Sequence, residues 1–88
     1  MYYVYLLESH KDKSWYIGYT SDLKKRIQNH LSGNGGQTTS RKTDWKLIYY
    51  ESYLDKKDAM GREIFLKSGS GRIFLKKQLK NYLSPAKI

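Results

Sequence analysis

Cysteine is absent from these 88 residues, so neither a disulfide framework nor a thiolate-ligated zinc site is available. That excludes zinc-finger readings. Long apolar runs are absent too: the longest, Tyr2 to Leu7, is far too short to cross a bilayer, and no charged-then-apolar leader precedes it. A soluble, cytoplasmic protein is the expectation. No His/Asp/Glu cluster has zinc-ligand spacing, no glycine-rich loop has phosphate-loop spacing, and no Ser/His/Asp set can be assembled. Negative charge is also scarce, 8 Asp+Glu against 17 Lys+Arg, for a formal net charge of +9. Such a field favours polyanions, of which nucleic acid is the commonest inside cells. A solvated lysine-rich surface without a specific partner would give the same count.

The chain is one small domain, residues 1–88, with a thin core and room for chemistry only on a shallow surface. The apolar content is only 39%, but nine Tyr, two Trp and two Phe supply large half-buried groups, so the chain is compact rather than disordered. Tyr2/Val4/Leu6 alternate with Tyr3/Tyr5/Leu7, giving a strand apolar or aromatic on both faces and hence central. After the polar turn His10-Lys11-Asp12-Lys13, with His10 exposed, residues 14–19 form a second strand: Trp15, Ile17 and Tyr19 share one face, Tyr16 and Gly18 the other. This hairpin brings Tyr5 and Tyr16 together, with Gly18 as a small floor beside Tyr16 where a ligand or backbone can approach.

Thr20 or Ser21 caps a helix through Leu31, with Leu23, Ile27 and Leu31 as its buried stripe and Arg26 and His30 on one flank. Ser32 to Asp44 is a Gly/Ser/Thr-rich loop whose Arg41 and Lys42 are candidate phosphate contacts, or simply part of an exposed connector. Trp45 to Tyr53 is a third strand, with Leu47 and Tyr49 on one face and Ile48 and Tyr50 on the other. Asp55 caps a second helix to about Ser68, in which Ala59, Met60, Ile64 and Leu66 define the buried arc and Glu63 falls inside it. A carboxylate there costs several kcal/mol unless paired, hydrogen-bonded or metal-bound. A salt bridge to Arg26, Arg62 or a lysine answers that need as well as a metal does. Ser68-Gly69-Ser70-Gly71 breaks the chain before a third helix, about Arg72 to Leu83. In that helix Ile73, Phe74, Leu79 and Tyr82 are the apolar positions, and Arg72, Lys76, Lys77 and Lys80 form a basic face that ends before the single proline, Pro85.

Two hairpin tyrosines, Arg26, His30 and Glu63 can be assigned to phosphodiester hydrolysis without surplus. One Glu is a hard oxygen ligand for Mg²⁺, which completes its octahedron with waters and phosphate oxygens. Arg26 would hold the scissile phosphate, a tyrosine would accept a proton from the attacking water, and His30 would relay that proton or orient a tyrosine. Each residue also has an ordinary structural reading, as half-buried strand tyrosines, a solvated arginine and a packing histidine.

In their order along the chain, Tyr3-Val4-Tyr5, Tyr16-Ile17-Gly18, Arg26, His30 and Glu63 resemble the motifs of the GIY-YIG nuclease superfamily, in particular its small stand-alone members. The likeness covers essentially the whole chain. It implies an α+β fold, a three-stranded antiparallel sheet flanked by three helices in the order β-β-α-β-α-α. By this likeness Tyr5, Tyr16, Arg26, His30 and Glu63 are the catalytic residues, and Asn81 corresponds to an asparagine near the C-terminus. It also implies one Mg²⁺ or Mn²⁺ on Glu63 and tyrosine-assisted attack of water on a DNA phosphodiester. Tyr3 stands where the first triplet usually has Gly, Val4 replaces Ile, and Tyr19 occupies a place where some members carry a lysine.

The leading expectation is therefore a metal-dependent DNA endonuclease, with Tyr16 favoured as base because Gly18 leaves room beside it. A double-strand cut would need a homodimer or a second binding event. A non-catalytic nucleic-acid-binding module using the basic surface is the alternative, and a tyrosine-rich protein-interaction surface is a third.

Overall fold

The computed structural model describes residues 1–31 and 44–85. Three strands, β1 (Tyr2–Ser9), β2 (Trp15–Thr20) and β3 (Trp45–Tyr53), make an antiparallel sheet in the order β2-β1-β3. The helices are α1 (Leu23–Leu31), α2 (Lys56–Lys67), α3 (Gly69–Gln78) and a single turn, α4 (Lys80–Leu83). The fold is the expected α+β one. Among the described residues no helix is long and apolar enough to cross a membrane.

Strand β1 is central because both of its faces need cover. Val4 and Leu6 pack with Ile17, Ala59, Leu66 and Leu75 beneath α2 and α3, while Tyr5 and Leu7 pack with Trp45, Tyr16, Leu23, Ile27 and Leu47 on the α1 side. Neighbouring side chains on a strand point to opposite faces, so a run of buried residues from Val4 to Ser9 requires a layer on each side. The turn after β1 is closed by Ser9 N–H on Ser14 O (2.8 Å), Lys13 N–H on Ser9 O (3.0 Å) and the Asp12 carboxylate, which accepts from Ser14 N–H and Oγ–H. Its residue Lys13 takes a left-handed backbone conformation (φ 61°) and His10 is exposed, as expected. Asp44 ties this turn to the start of β3 by accepting from Ser9 Oγ–H and Lys11 N–H.

Four local expectations need correction. In β3, Leu6 pairs with Tyr49 but Leu7 with Leu47, so Ile48 is an extra residue at a bulge. The bulge breaks the simple alternation: Ile48 and Tyr49 both pack under α2/α3, whereas Leu47 lies on the α1 side. In α1, the cap is Asp22, whose Oδ1 accepts from Lys25 N–H (3.1 Å), rather than Thr20 or Ser21. The buried end of that helix is His30, fully enclosed, and not Leu31, which is exposed. In α2, capped as expected by Asp55, the sheet-facing row is Ala59, Arg62, Glu63 and Leu66, with Ala59 and Leu66 buried and Met60 and Ile64 exposed. Positions i, i+3, i+4 and i+7 share a face, so Glu63 lies inward as expected, and beside it stands Arg62 where the apolar wheel would turn Met60 and Ile64.

The fourth correction concerns the Ser/Gly segment after α2. The chain does break at Ser68, which ends α2, but its side chain accepts from Gly71 N–H (3.1 Å), so Gly69, Ser70 and Gly71 already form the first turn of α3, which starts three residues before Arg72. A Cβ on Gly71 would overlap the backbone of Phe65 and Leu66, and glycine there lets α3 start against the end of α2. Leu75, not Ile73, is the buried anchor of α3, and the helix stops at Leu79 before the turn of α4.

Candidate active site

The hairpin register places Tyr5 opposite Gly18 and Leu7 opposite Tyr16, so both tyrosines point to the α1 side one step apart. Their rings lie 6.4 Å apart. From α1, His30 inserts between them: its ring centroid is 5.7 Å from Tyr5 and 5.0 Å from Tyr16, and its Nε2 is hydrogen-bonded to the Tyr5 hydroxyl at 2.9 Å. Trp45 closes the far side of Tyr16 at 6.2 Å. The chain achieves this because Asp22 fixes the start of α1, and His30 then falls on the same side of the helix as Leu23 and Ile27.

The role expected of Gly18 changes. A Cβ there would sit on the Tyr5 ring. The space over Gly18 is filled by Tyr5 itself. What separates the two tyrosines is exposure: Tyr5 is buried, whereas Tyr16 is only partly covered.

Electrostatics bind the set together. Burial pushes the Tyr5 phenol well above its ordinary value, and the negative charges that Tyr16 and Glu63 would carry push it further, while Arg26 opposes them. Tyr16, Arg26 and Glu63 thus all act on the same hydroxyl. His30 is pushed below its ordinary value by burial and by the nearby Arg26 charge, so its ring is neutral at pH 7. Arg26 is partly exposed and lines a shallow polar hollow with Thr20, Lys25 and Asn29.

Glu63 meets the need for a partner through Lys67, one turn along α2, with Nζ 3.1 Å from Oε2. Neither Arg26 nor Arg62 takes that place. Arg62 instead makes a two-pronged pair with Glu51 on β3, Nε to Oε1 at 2.9 Å and Nη2 to Oε2 at 3.1 Å. Glu51 also accepts from the hydroxyls of Tyr49 and Tyr53. The pattern Tyr49-x-Glu51-x-Tyr53 was the sequence signal for this cluster, since alternate strand residues share a face.

As metal ligands, the residues offer little beyond Glu63: among the described residues no group of three or more His, Asp or Glu can hold an ion. A lone carboxylate suits Mg²⁺ or Mn²⁺, which can be held by one carboxylate while retaining waters, and does not suit zinc. Tyr5, Tyr16, Arg26, His30 and Glu63 are therefore brought to one neighbourhood. Asn81 is not: it is exposed on α4, and among the described residues its side chain makes no hydrogen bond. Arg41 and Lys42 lie outside the described residues.

Comparison with known proteins shows the family. Residues 1–80 match the family described as the GIY-YIG catalytic domain. A UPF0213 protein of Streptococcus pneumoniae serotype 4 is 43% identical over 65 residues, 74% of this chain and 65% of its own length. UPF0213 protein CPE1444 of Clostridium perfringens is 42% identical over 67 residues, 76% of this chain and 71% of its own length. UPF0213 protein YazA of Bacillus subtilis is 44% identical over 57 residues, which span 58% of its length. The solution NMR structure of UPF0213 protein BH0048 from Bacillus halodurans superposes with a TM-score of 0.53 at 38% identity, over 98% of this chain and 89% of that one. The names of these relatives state no activity. With residues 1–80 of 88 matching its catalytic domain, the chain belongs to the GIY-YIG family, which implies a nuclease-type function.

Proposed function

We propose that the chain is a metal-dependent endonuclease that hydrolyses phosphodiester bonds in DNA. The observation that carries this reading is the convergence on one buried hydroxyl: Tyr5 is hydrogen-bonded to His30 and lies under the electrostatic influence of Tyr16, Arg26 and Glu63. Tyr16 is the base in this scheme. It has an accessible edge, whereas the Tyr5 phenol is sealed, held against a deprotonated state by burial, and hydrogen-bonded to a neutral imidazole. Tyr5 and His30 then act as a pair that fixes the site and keeps the imidazole ring beside Tyr16. Arg26 binds the phosphate oxygens, and its permanent charge offsets the charge that grows on them. Glu63 would hold Mg²⁺ or Mn²⁺, releasing Lys67 as it does so. When bound, the ion supplies Lewis-acid polarisation of phosphate oxygens and acidifies bound water. One such site cuts one strand, so a double-strand break would use a second copy of the chain. A cytoplasmic location fits a protein that acts on DNA without a compartment of its own.

Supercoiled plasmid incubated with the purified chain should be nicked in Mg²⁺ or Mn²⁺ and left intact in EDTA. Cleavage that persists in both Glu63→Ala and Tyr16→Phe overturns the proposal. A second reading, a nucleic-acid-binding module without catalysis, draws on the Glu63–Lys67 contact, an i,i+4 pair of a kind common on helix surfaces. It requires binding without divalent ions, with Glu63→Gln neutral or tighter.

A further inference from the structure

On the other face of the hairpin, four cations from separate parts of the chain meet around one groove of about 780 Å³. Trp15 and Tyr16 are neighbours on β2 and point to opposite faces, so this groove and the tyrosine site lie back to back across the sheet. Its floor is Glu8, only 6% exposed. One carboxylate oxygen accepts from the Trp15 indole N–H at 3.1 Å and the other from the Tyr82 hydroxyl at 2.6 Å. Both donors are neutral.

Around that floor stand Lys13 of the hairpin turn, Arg72 and Lys76 of α3, and Lys80 of α4. Among the described residues none of these four is in an ion pair. Two cations are held in place by aromatic rings instead: the Arg72 guanidinium lies 5.0 Å from the Trp15 ring, and the ammonium of Lys46 on β3 lies 5.4 Å from the Tyr82 ring. Arg72 and Lys76 are one turn apart, about 6 Å along the helix axis, with Lys80 beyond them. The result is a row of charge rather than a single focus, four cations over one buried carboxylate. Mutual repulsion along such a row is relieved best by a linear polyanion.

We infer that this groove is a track for a nucleic-acid phosphodiester backbone, engaged without regard to base sequence while the strand to be cut lies at Tyr16. The inference rests on the nucleic-acid reading of that site. It assigns to Arg72, Lys76, Lys80 and Lys13 a local role that diffuse positive charge would not give them, and it leaves out Lys77, which does not line the groove.

The test is a salt titration of oligonucleotide binding by fluorescence polarisation, in EDTA, with the full chain. The double variant Lys76→Gln/Lys80→Gln is compared with Lys56→Gln/Lys57→Gln, an equal loss of charge on exposed residues at the start of α2. Loss of two phosphate contacts should make the slope of log K against log salt shallower by about 1.8 on duplex or about 1.4 on single strand. The α2 variant should keep the parental slope. A second groove pair, Lys13→Gln/Lys76→Gln, must give the same change, which guards against local unfolding of α4. Parental slopes in the groove variants, or an equal loss in the α2 variant, overturn the inference. Because no divalent ion is present, the result is independent of cleavage: a chain that binds through the groove but never nicks plasmid keeps the track and loses the nuclease. A chain that nicks while its groove variants bind with parental slopes does the reverse.

Discussion

Tyr49 and Tyr53 on β3 gather around the Glu51 carboxylate, whereas Tyr5 and Tyr16 on β1 and β2 gather around the His30 ring. In the first group Arg62 neutralises the charge with two hydrogen bonds and lies over Phe74, its Cζ 4.5 Å from the ring centroid. Burial raises both of its phenols to about 12, and hydrogen bonding to Glu51 adds to the rise. Burial also raises the Glu51 carboxyl, but the hydrogen bonds from Arg62, Tyr49 and Tyr53 outweigh it and leave the group below its ordinary range. Donors and acceptors are matched there, and the group clamps α2 onto the sheet. In the second group a phenol meets a neutral imidazole, with the Arg26 cation and the Glu63 carboxylate acting on the phenol through space. The same residue type makes an ion-paired clamp in one place and a hydrogen-bonded aromatic cluster in the other. The difference lies in whether a charge is answered on the spot.

Separating the two groups experimentally should give effects of different kinds. The largest is expected from Tyr16→Phe, which should lower the plasmid-nicking rate by roughly 10²- to 10⁴-fold, the usual range for loss of a general base, while the thermal midpoint stays near that of the parent. Tyr53→Phe, measured side by side, should leave the rate unchanged. An equal fall in both would erase the distinction. Next, Glu51→Ala should cost about 3 kcal/mol in urea unfolding, because it leaves Arg62 and two hydroxyls without their shared acceptor. Nicking per folded molecule should hold.

Gly18→Ala should cost about 2 kcal/mol, since the new methyl meets the buried Tyr5 ring and overpacking is penalised on that scale. It should also displace Tyr5 from His30, read as a changed His30 ring signal in NMR. The smallest effect concerns pH. A buried His30 with a lowered pKa binds its proton less readily than the unfolded chain does. Stability is therefore complete above about pH 6.5 and is lost as the pH falls below it. Glu51, also lowered, begins to lose its contribution only below about pH 4. Thermal midpoints across this range should fall in two stages, and His30→Gln should remove the upper one alone.

The strands, the order of faces on the hairpin, and the helix positions of Arg26, His30 and Glu63 were legible in the sequence, because alternation and helical spacing are local and a strand's two faces are set by its own covalent geometry; that these three meet Tyr5 and Tyr16 was implied by the family resemblance. The same reasoning failed on α2. An apolar wheel assigned Met60 and Ile64 to the interior, but the helix turns Arg62 inward to Glu51, and that pairing depends on a strand eleven residues earlier in the chain. The bulge at Ile48 was equally hidden, since it is a property of two strands in register and neither strand shows it alone.

Residue types, their order and the scarcity of carboxylates that leaves Glu63 as the candidate ligand on an inward face are written in the linear chain. How these residues sit against one another is set by packing. Only packing shows that Tyr5 fills the space over Gly18, that His30 rather than Leu31 is enclosed, and that Lys67 partners Glu63. It also decided that Glu8, Trp15 and Tyr82, from opposite ends of the chain, share one hydrogen-bonded floor beneath a row of cations. Burial and proximity are properties of the whole fold, and they set which hydroxyl is sealed, which is accessible and which charge is answered.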